Sequence, residues 1–363
     1  NMRIKIYLLI LTLFSFIDCK GKMRDITTME LTREMGVGIN LGNTFESFGD
    51  WIDEYGDGSP KSYYTAWGSP EVTYNLLSGY YNEGFRVLRI PVHWFNLMDE
   101  DYNLSREYME EVKRAVDDAL DIGLYVILNI HHDERGLFSG FAKDKKTSMV
   151  RYLKIWKQIA ETFKNYDDYL MFEALNEEAC WDSLYNRYGR GDEVLAGQKI
   201  ALSLVSEINQ QFVRLIRNSG GNNNKRHLLI SGYCTDIKES VSPLFRLPYD
   251  PVNRFAVSLH YYTPSTFTIL TEDADWGKVR INWGSKEDLR ELEDNFDLAK
   301  EAFIDKGIPV IIGEYGCSTK GKDKDSVYDY IYNVAKNAYN RHMVPILWDT
   351  PGGFYNRTTF EFD

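Results

Sequence analysis

Two glutamates occupy positions where a charge needs a reason. Glu314 sits in P-V-I-I-G-E-Y-G, at the end of an unbroken apolar run that fits a strand buried on both faces, as in a parallel sheet. Glu177 follows a second apolar run, Leu170 to Leu175, as Asn176-Glu177. Pairing with a neighbouring Arg or Lys would explain either carboxylate alone. Two carboxylates on strand ends of an alternating α/β chain are instead what a retaining glycosidase needs, one as nucleophile and one as acid/base.

The elements that must hold them are readable along the whole chain. Eight runs read as strands: Gly36 to Leu41, Phe85 to Pro91, Leu124 to Ile130, Leu170 to Leu175, His227 to Ser231, Phe255 to His260, Pro309 to Glu314 and Val344 to Trp348. Helical periodicity fills the intervals at Pro70 to Glu83, Ser105 to Ile122, Thr147 to Tyr166, Glu193 to Ser219, Lys286 to Lys306 and Lys324 to Arg341. The stretch Asp236 to Pro251 is poor in helix signal and is expected to hold short turns. Alternation of this kind predicts α/β architecture. The first βα turn, G-N-T-F, lacks a G-x-G-x-x-G fingerprint, which favours a (β/α)8 TIM barrel over a dinucleotide-binding open sheet. After the eighth run the sequence continues only from Asp349 to Asp363, so the expected barrel lacks its usual last helix, or another segment covers that flank. Function in such barrels collects at the carboxyl ends of strands. There the sequence places Arg89 to Trp94, Asn129 to Asp133, Asn176-Glu177, His260 to Tyr262, Glu314-Tyr315 and Trp348-Asp349.

At 363 residues without a Pro- or Gly-rich linker, the chain suits one catalytic domain, 25–363, behind a segment 1–24. That segment opens with Met2-Arg3-Ile4-Lys5 and the apolar run Ile6 to Ile17, a secretory signal pattern too short to span a bilayer comfortably. Secretion is therefore expected, and Cys19 after the run is a candidate for lipid anchoring, although Asp18 is a poor residue before a cleavage site. A net charge of −12 disfavours nucleic acid and anionic membranes as partners. Aromatic residues make up 14% of the chain, with 25 Tyr and 8 Trp, and flat rings with polar handles suit the faces of sugars. Cys19, Cys180, Cys234 and Cys317 are widely spaced, with no C-x-x-C or Cys/His pattern, so neither a disulfide framework nor a zinc site is expected.

Taken together, G-I-N-L-G-N-T, A-W-G-S-P, G-F-R-V-L-R-I-P-V, V-I-L-N-I-H-H, F-E-A-L-N-E, H-Y-Y, D-K-G-I-P-V-I-I-G-E-Y-G and L-W-D resemble glycoside hydrolase family 5 from Gly36 to Trp348. The A-W-G-S-P segment and the H-Y-Y-T-P-S-T-F-T insertion are most similar to subfamily 4, whose members are chiefly endo-β-1,4-glucanases, many also acting on xyloglucan or mixed-linkage glucan. The resemblance implies Glu177 as acid/base and Glu314 as nucleophile. It implies Arg89 and Tyr262 holding Glu314 ionised, Asn176 on the sugar 2-hydroxyl, His131 and His260 on hydroxyls or carboxylates, and Trp348 as the floor of the sugar site. Asn40 and His132 join the substrate-binding set, and Trp67, Trp94, Trp181 and Trp276 are candidates for outer aromatic contacts. The nearby anion is expected to raise the pKa of Glu177. One departure stands out: the family's N-E-P reads N-E-E here, and Glu178 either raises Glu177 further or faces solvent.

Other chemistries fit less well. His131-His132-Asp133 lacks the H-x-H or H-E-x-x-H geometry of a metal site. The Gly352-Gly353 pair after the eighth strand suits a phosphate loop of a phosphosugar enzyme, yet no Lys stands at a strand end for a Schiff base. A non-catalytic glycan-binding barrel has no use for two carboxylates that repel each other. His93 and His227, with no motif around them, read as structural. The expected partner is a β-glucan polysaccharide such as cellulose, xyloglucan or mixed-linkage glucan, with mannan or xylan as further options; the mechanism calls for no cofactor, and nothing indicates oligomerisation.

Overall fold

Short apolar, β-branched runs bounded by turn residues become strands in the computed structural model of the chain, which describes residues 21–132, 135–177, 180–189 and 191–362. The strands are β1 (Gly38–Asn40), β2 (Val87–Ile90), β3 (Tyr125–Asn129), β4 (Leu170–Glu173), β5 (Leu228–Ser231), β6 (Phe255–Tyr261), β7 (Val310–Tyr315) and β8 (Val344–Leu347). All pair in parallel and in sequence order, and β8 returns to β1 with Ile346 opposite Gly38, so the sheet closes into the expected (β/α)8 barrel. Gly38 is needed at that seam, because a Cβ there would lie 2.8 Å from the Val87 side chain.

The helices are α1 (Thr28–Met35), α2 (Asp50–Tyr55), α3 (Pro60–Tyr64), α4 (Tyr74–Asn82), α5 (Arg106–Ile122), α6 (Leu137–Gly140), α7 (Lys145–Phe163), α8 (Asp192–Arg217), α9 (Ile237–Ser240), α10 (Ser265–Thr268), α11 (Lys286–Ala302) and α12 (Lys324–Asn340). Local chemistry sets their ends. Helix α5 starts where the Ser105 side chain accepts from Tyr108 N, and stops at Gly123, whose φ of 99° is left-handed. Its buried residues Tyr108, Val112, Ala115, Val116 and Ala119 form one helical stripe facing the barrel. The stretch Asp236 to Pro251 holds the single turn α9, as its composition predicts.

Alternation along the strands divides the core in two. One set of strand residues, including Leu88, Ile90, Leu128, Phe172 and Val257, packs in the cluster shared with the helices. The lower barrel interior is a separate cluster, in which Val87, Ile127, Met171, Leu229, Ala256, Ile311 and Ile346 meet Leu31 and Met35 of α1. Helix α1 therefore closes the floor.

One alternative left open by the sequence is decided here, and one expectation is overturned. On the flank where the last helix was expected to be missing, β9 (Tyr355–Asn356) and β10 (Glu361–Phe362) form an antiparallel ribbon. Its Tyr355 ring packs 4.7 Å from Tyr80 of α4, and Phe362 packs 5.8 Å from Phe85. Cys180 and Cys234, too distant in sequence to suggest a pair, are disulfide-bonded across 54 residues, because adjacent β4 and β5 set their following loops side by side. Among the described residues, no helix is long and apolar enough to cross a membrane. The signal-like run, Cys19, Asp133 and Glu178 lie outside the described residues.

Candidate active site

Above the apolar floor the buried strand residues turn polar. Asn40 on β1 is in register with Arg89 on β2, and Asn129 on β3 with Glu173 on β4. With Ser258 on β6, all are fully buried. Arg89 is the hub, and every one of its guanidinium N–H groups has a partner. Nε donates to Glu173 Oε2 at 2.8 Å, and Nη2 to Glu173 Oε1 at 3.2 Å and Asn176 Oδ1 at 2.9 Å. Nη1 donates to Asn40 Oδ1 at 3.0 Å and Glu314 Oε1 at 2.7 Å. Burial opposes the Arg89 charge, but the carboxylates of Glu173 and Glu314 outweigh it and push its pKa further up.

Glu314 reaches this hub through a bulge. Leu259 pairs with Ile312 but His260 pairs with Glu314, which leaves Gly313 as the extra residue in β7. A Cβ on Gly313 would stand 3.0 Å from Ser258 Oγ and 3.1 Å from His260 Nε2, so any side chain there would press on both. The bulge aims Glu314 inward, where the Tyr262 hydroxyl donates to its Oε2 at 2.8 Å. Burial and the charges of Glu314 and Glu177 hold the Tyr262 pKa well above its ordinary value, so that proton stays in place to be donated.

Glu177 is held differently. Its Oε1 lies 2.6 Å from His260 Nδ1, and its side chain is 46% exposed to the cleft. Burial raises the Glu177 carboxyl, but the hydrogen bond and charge of His260, helped by Arg89, outweigh it and leave the pKa below the ordinary value. The sequence reading expected the opposite sign from the neighbouring anion; His260, brought in by β6, reverses it. One oxygen each of Glu177 and Glu314 and one nitrogen of His260 all lie within 4.8 Å of one another. Among the described residues this is the trio that could hold a cation, but its His260 nitrogen is committed to Glu177 and Glu314 already pairs with Arg89.

The remaining candidates separate into cleft and core. His131 stacks parallel to Trp348 at 5.7 Å, and burial, followed by the charges of His132 and Arg89, keeps the imidazole neutral by pushing its pKa well down. Trp67 and His132 meet Phe48, at ring distances of 5.5 and 5.0 Å, in a half-buried aromatic cluster. Trp276 is exposed on the insertion after β6. By contrast Trp181 and Trp94 are core residues, donating from Nε1 to the carbonyls of Phe138 and Asn129. Asn40 and Arg89 are likewise closed off from the cleft, so they act on substrate only through Glu314 and Asn176. His93 is fully buried and stacks on Phe48, and His227 accepts or donates to Thr28 Oγ1, consistent with structural roles.

Three participants were not singled out from sequence. Glu173 announces itself only as a charge within the apolar run L-M-F-E-A-L. Glu46, fully buried, accepts from the backbone N–H groups of Asn43 and Thr44 and ties down the loop after β1. Phe48 carries no motif.

Paired carboxylates at this spacing, on the strand ends of a closed parallel barrel, define the class as glycoside hydrolase. The chain belongs to the cellulase family, glycosyl hydrolase family 5, whose model matches residues 52–352. Endoglucanase A of Ruminococcus albus is 34% identical over 342 residues, covering 93% of this chain and 86% of that protein. A subfamily 4 broad-specificity endoglucanase from an uncultured bovine rumen ciliate superposes with a TM-score of 0.81 at 34% identity, over 93% of this chain and 94% of the other. The Bacteroides ovatus family 5 xyloglucanase, solved with an XXXG heptasaccharide, gives a TM-score of 0.81 at 31% identity, over 95% and 75% of the two chains.

Proposed function

We propose that the protein is a retaining endo-β-1,4-glucanase in which Glu314 is the nucleophile and Glu177 the acid/base. The observation carrying this is the carboxylate pair itself. Oxygens of Glu177 and Glu314 within 4.8 Å suit the separation of about 5 to 5.5 Å used for double displacement, and leave no room for the water that an inverting enzyme places between them. Glu314, held by Arg89 and Tyr262, attacks the anomeric carbon as the glycosidic C–O bond breaks, and the departing oxygen takes a proton from Glu177. Water then gives a proton to Glu177 and attacks the same carbon, and Glu314 leaves as a carboxylate. Glu177 is half exposed, so a sugar seated over it strips its water and raises its pKa toward the protonated form the first step needs. Asn176 suits the 2-hydroxyl, Trp348 the face of the reacting sugar, and the Phe48, Trp67 and His132 cluster the continuing chain.

The test is NMR of the first-formed product from carboxymethylcellulose, xyloglucan and mixed-linkage glucan. The β-anomer is expected, with the linear β-1,4-glucan cleaved internally. An initial α-anomer would overturn the retaining assignment, and cleavage of xyloglucan alone would overturn the substrate.

A further inference from the structure

Glu173 touches neither carboxylate of the proposed pair, yet it holds the guanidinium edge turned away from Glu314. Its two oxygens take Arg89 Nε and Nη2 at 2.8 and 3.2 Å, and Oε1 also accepts from Ser258 Oγ at 3.0 Å. Arg89 and Glu173 are both fully buried, so neither has water to fall back on. Arg89 thus serves two anions at once, one on β4 and one on β7.

The charge of Glu314 is not constant through a double displacement. It is present before attack, absent while the carboxyl is esterified to the sugar, and present again after water releases the product. An Arg89 paired with Glu314 alone would become a buried, unpaired cation at the covalent stage, which a low-dielectric interior penalises severely. With Glu173 in place the buried cluster passes from one net negative charge to zero and never holds a bare cation. We infer that Glu173 is the standing counter-ion of Arg89, a positioning residue that allows the nucleophile's charge to be spent in glycosylation. This rests on Glu314 being the nucleophile.

A purely structural role would disturb both chemical steps alike, whereas this role separates them. Glycosylation discharges Glu314 and needs Glu173. Deglycosylation restores Glu314, relieving Arg89 whether or not Glu173 is present. Without Glu173, Arg89 would pair with Glu314 alone, and a larger share of a neighbouring cation favours the charged form of a carboxylate. The groups facing Glu314 are Arg89 on β2, His131 after β3, Glu177 after β4, His260 on β6 and Tyr262 just after it. Only Arg89 would be left without its second anion by removal of Glu173.

The experiment uses the full chain with 2,4-dinitrophenyl 2-deoxy-2-fluoro-β-cellobioside, a slow substrate that traps the glycosyl-enzyme. Wild-type trapping, read by mass, establishes Glu314 independently; failure there refutes the mechanism rather than the role of Glu173. In Glu173→Gln the trapping rate is expected to fall by about a hundredfold, the scale of losing one well-placed charge interaction, with the release rate within a few-fold of wild type. The acid limb of kcat/KM should move to lower pH. Ser258→Ala, which removes one bond to Glu173, should do the same more weakly, and it keeps the question open to measurement if Glu173→Gln does not fold. Equal losses in trapping and release, or an unmoved acid limb, would overturn the inference.

Discussion

Arg89 and Arg226 are both fully buried, and both have every guanidinium N–H engaged, yet they were built for different purposes. Arg226 lies toward the floor, just before β5. Its Nε donates to Asn223 Oδ1, and its two terminal nitrogens to the carbonyls of Asp167, Leu170, Phe163 and Tyr166. It also sits 4.7 Å over the Phe172 ring. None of these acceptors is charged, and burial brings its pKa down to about 9. Arg89 instead spends its donors on two carboxylates and two side-chain amides, and its pKa is pushed up. Hydrogen-bond satisfaction alone is enough to stitch turns together. A charge that must act on another charge needs counter-ions, and the second counter-ion is what distinguishes the catalytic end.

That contrast can be broken experimentally. Glu314→Gln should have the largest effect, lowering kcat by about 10⁴-fold or more as loss of a nucleophile does, while the melting temperature changes little because Glu173 still pairs Arg89. A large drop in melting temperature would mean that Glu314, not Glu173, is the principal partner of Arg89. Arg226→Met should do the reverse. Stripping one donor group from each of five acceptors, four of them in buried bonds, is expected to cost about 3 to 5 kcal/mol in denaturant unfolding, with kcat of the folded fraction unchanged. Lost turnover at unchanged stability would assign Arg226 to the wrong end of the molecule.

The smallest effect concerns pH. His227 follows Arg226 and shares its floor with Arg254, Arg217 and Arg24, so burial first and these cations second lower its pKa from 6.5 to about 3. Its folded form is neutral while its unfolded form takes up a proton below about pH 6.5. The unfolded state then binds more protons, so this contribution to stability is present above pH 6.5 and is lost progressively as pH falls toward 3. Urea midpoints of wild type should therefore decline over that window, and His227→Gln should flatten the decline; parallel curves would refute the assignment.

Arg89 and Arg226 also differ in how much of their role was legible. Arg89 stands in G-F-R-V-L-R-I-P-V at a strand end, where a charge is conspicuous, whereas Arg226 lies in the polar stretch N-N-N-K-R just before the fifth strand run, where a charge is unremarkable. The partners of both were hidden. Glu173 is 84 residues from Arg89, and the closed order of strands is what brings them together. Trp181 read as a sugar platform because a tryptophan after β4 is plausible there, but the Cys180–Cys234 bridge and the Phe138 carbonyl take it inside.

Local sequence determined the eight strands, the six long helices and the two glutamates at strand ends, because burial periodicity is written within a few residues. Tertiary structure alone decided the bulge at Gly313, the sign of the shift at Glu177, the ribbon against α4 and the sharing of Arg89 between two anions. Each of these depends on which strand lies beside which and in what register. That is a property of contacts between residues far apart in the chain, and it is set when the barrel closes.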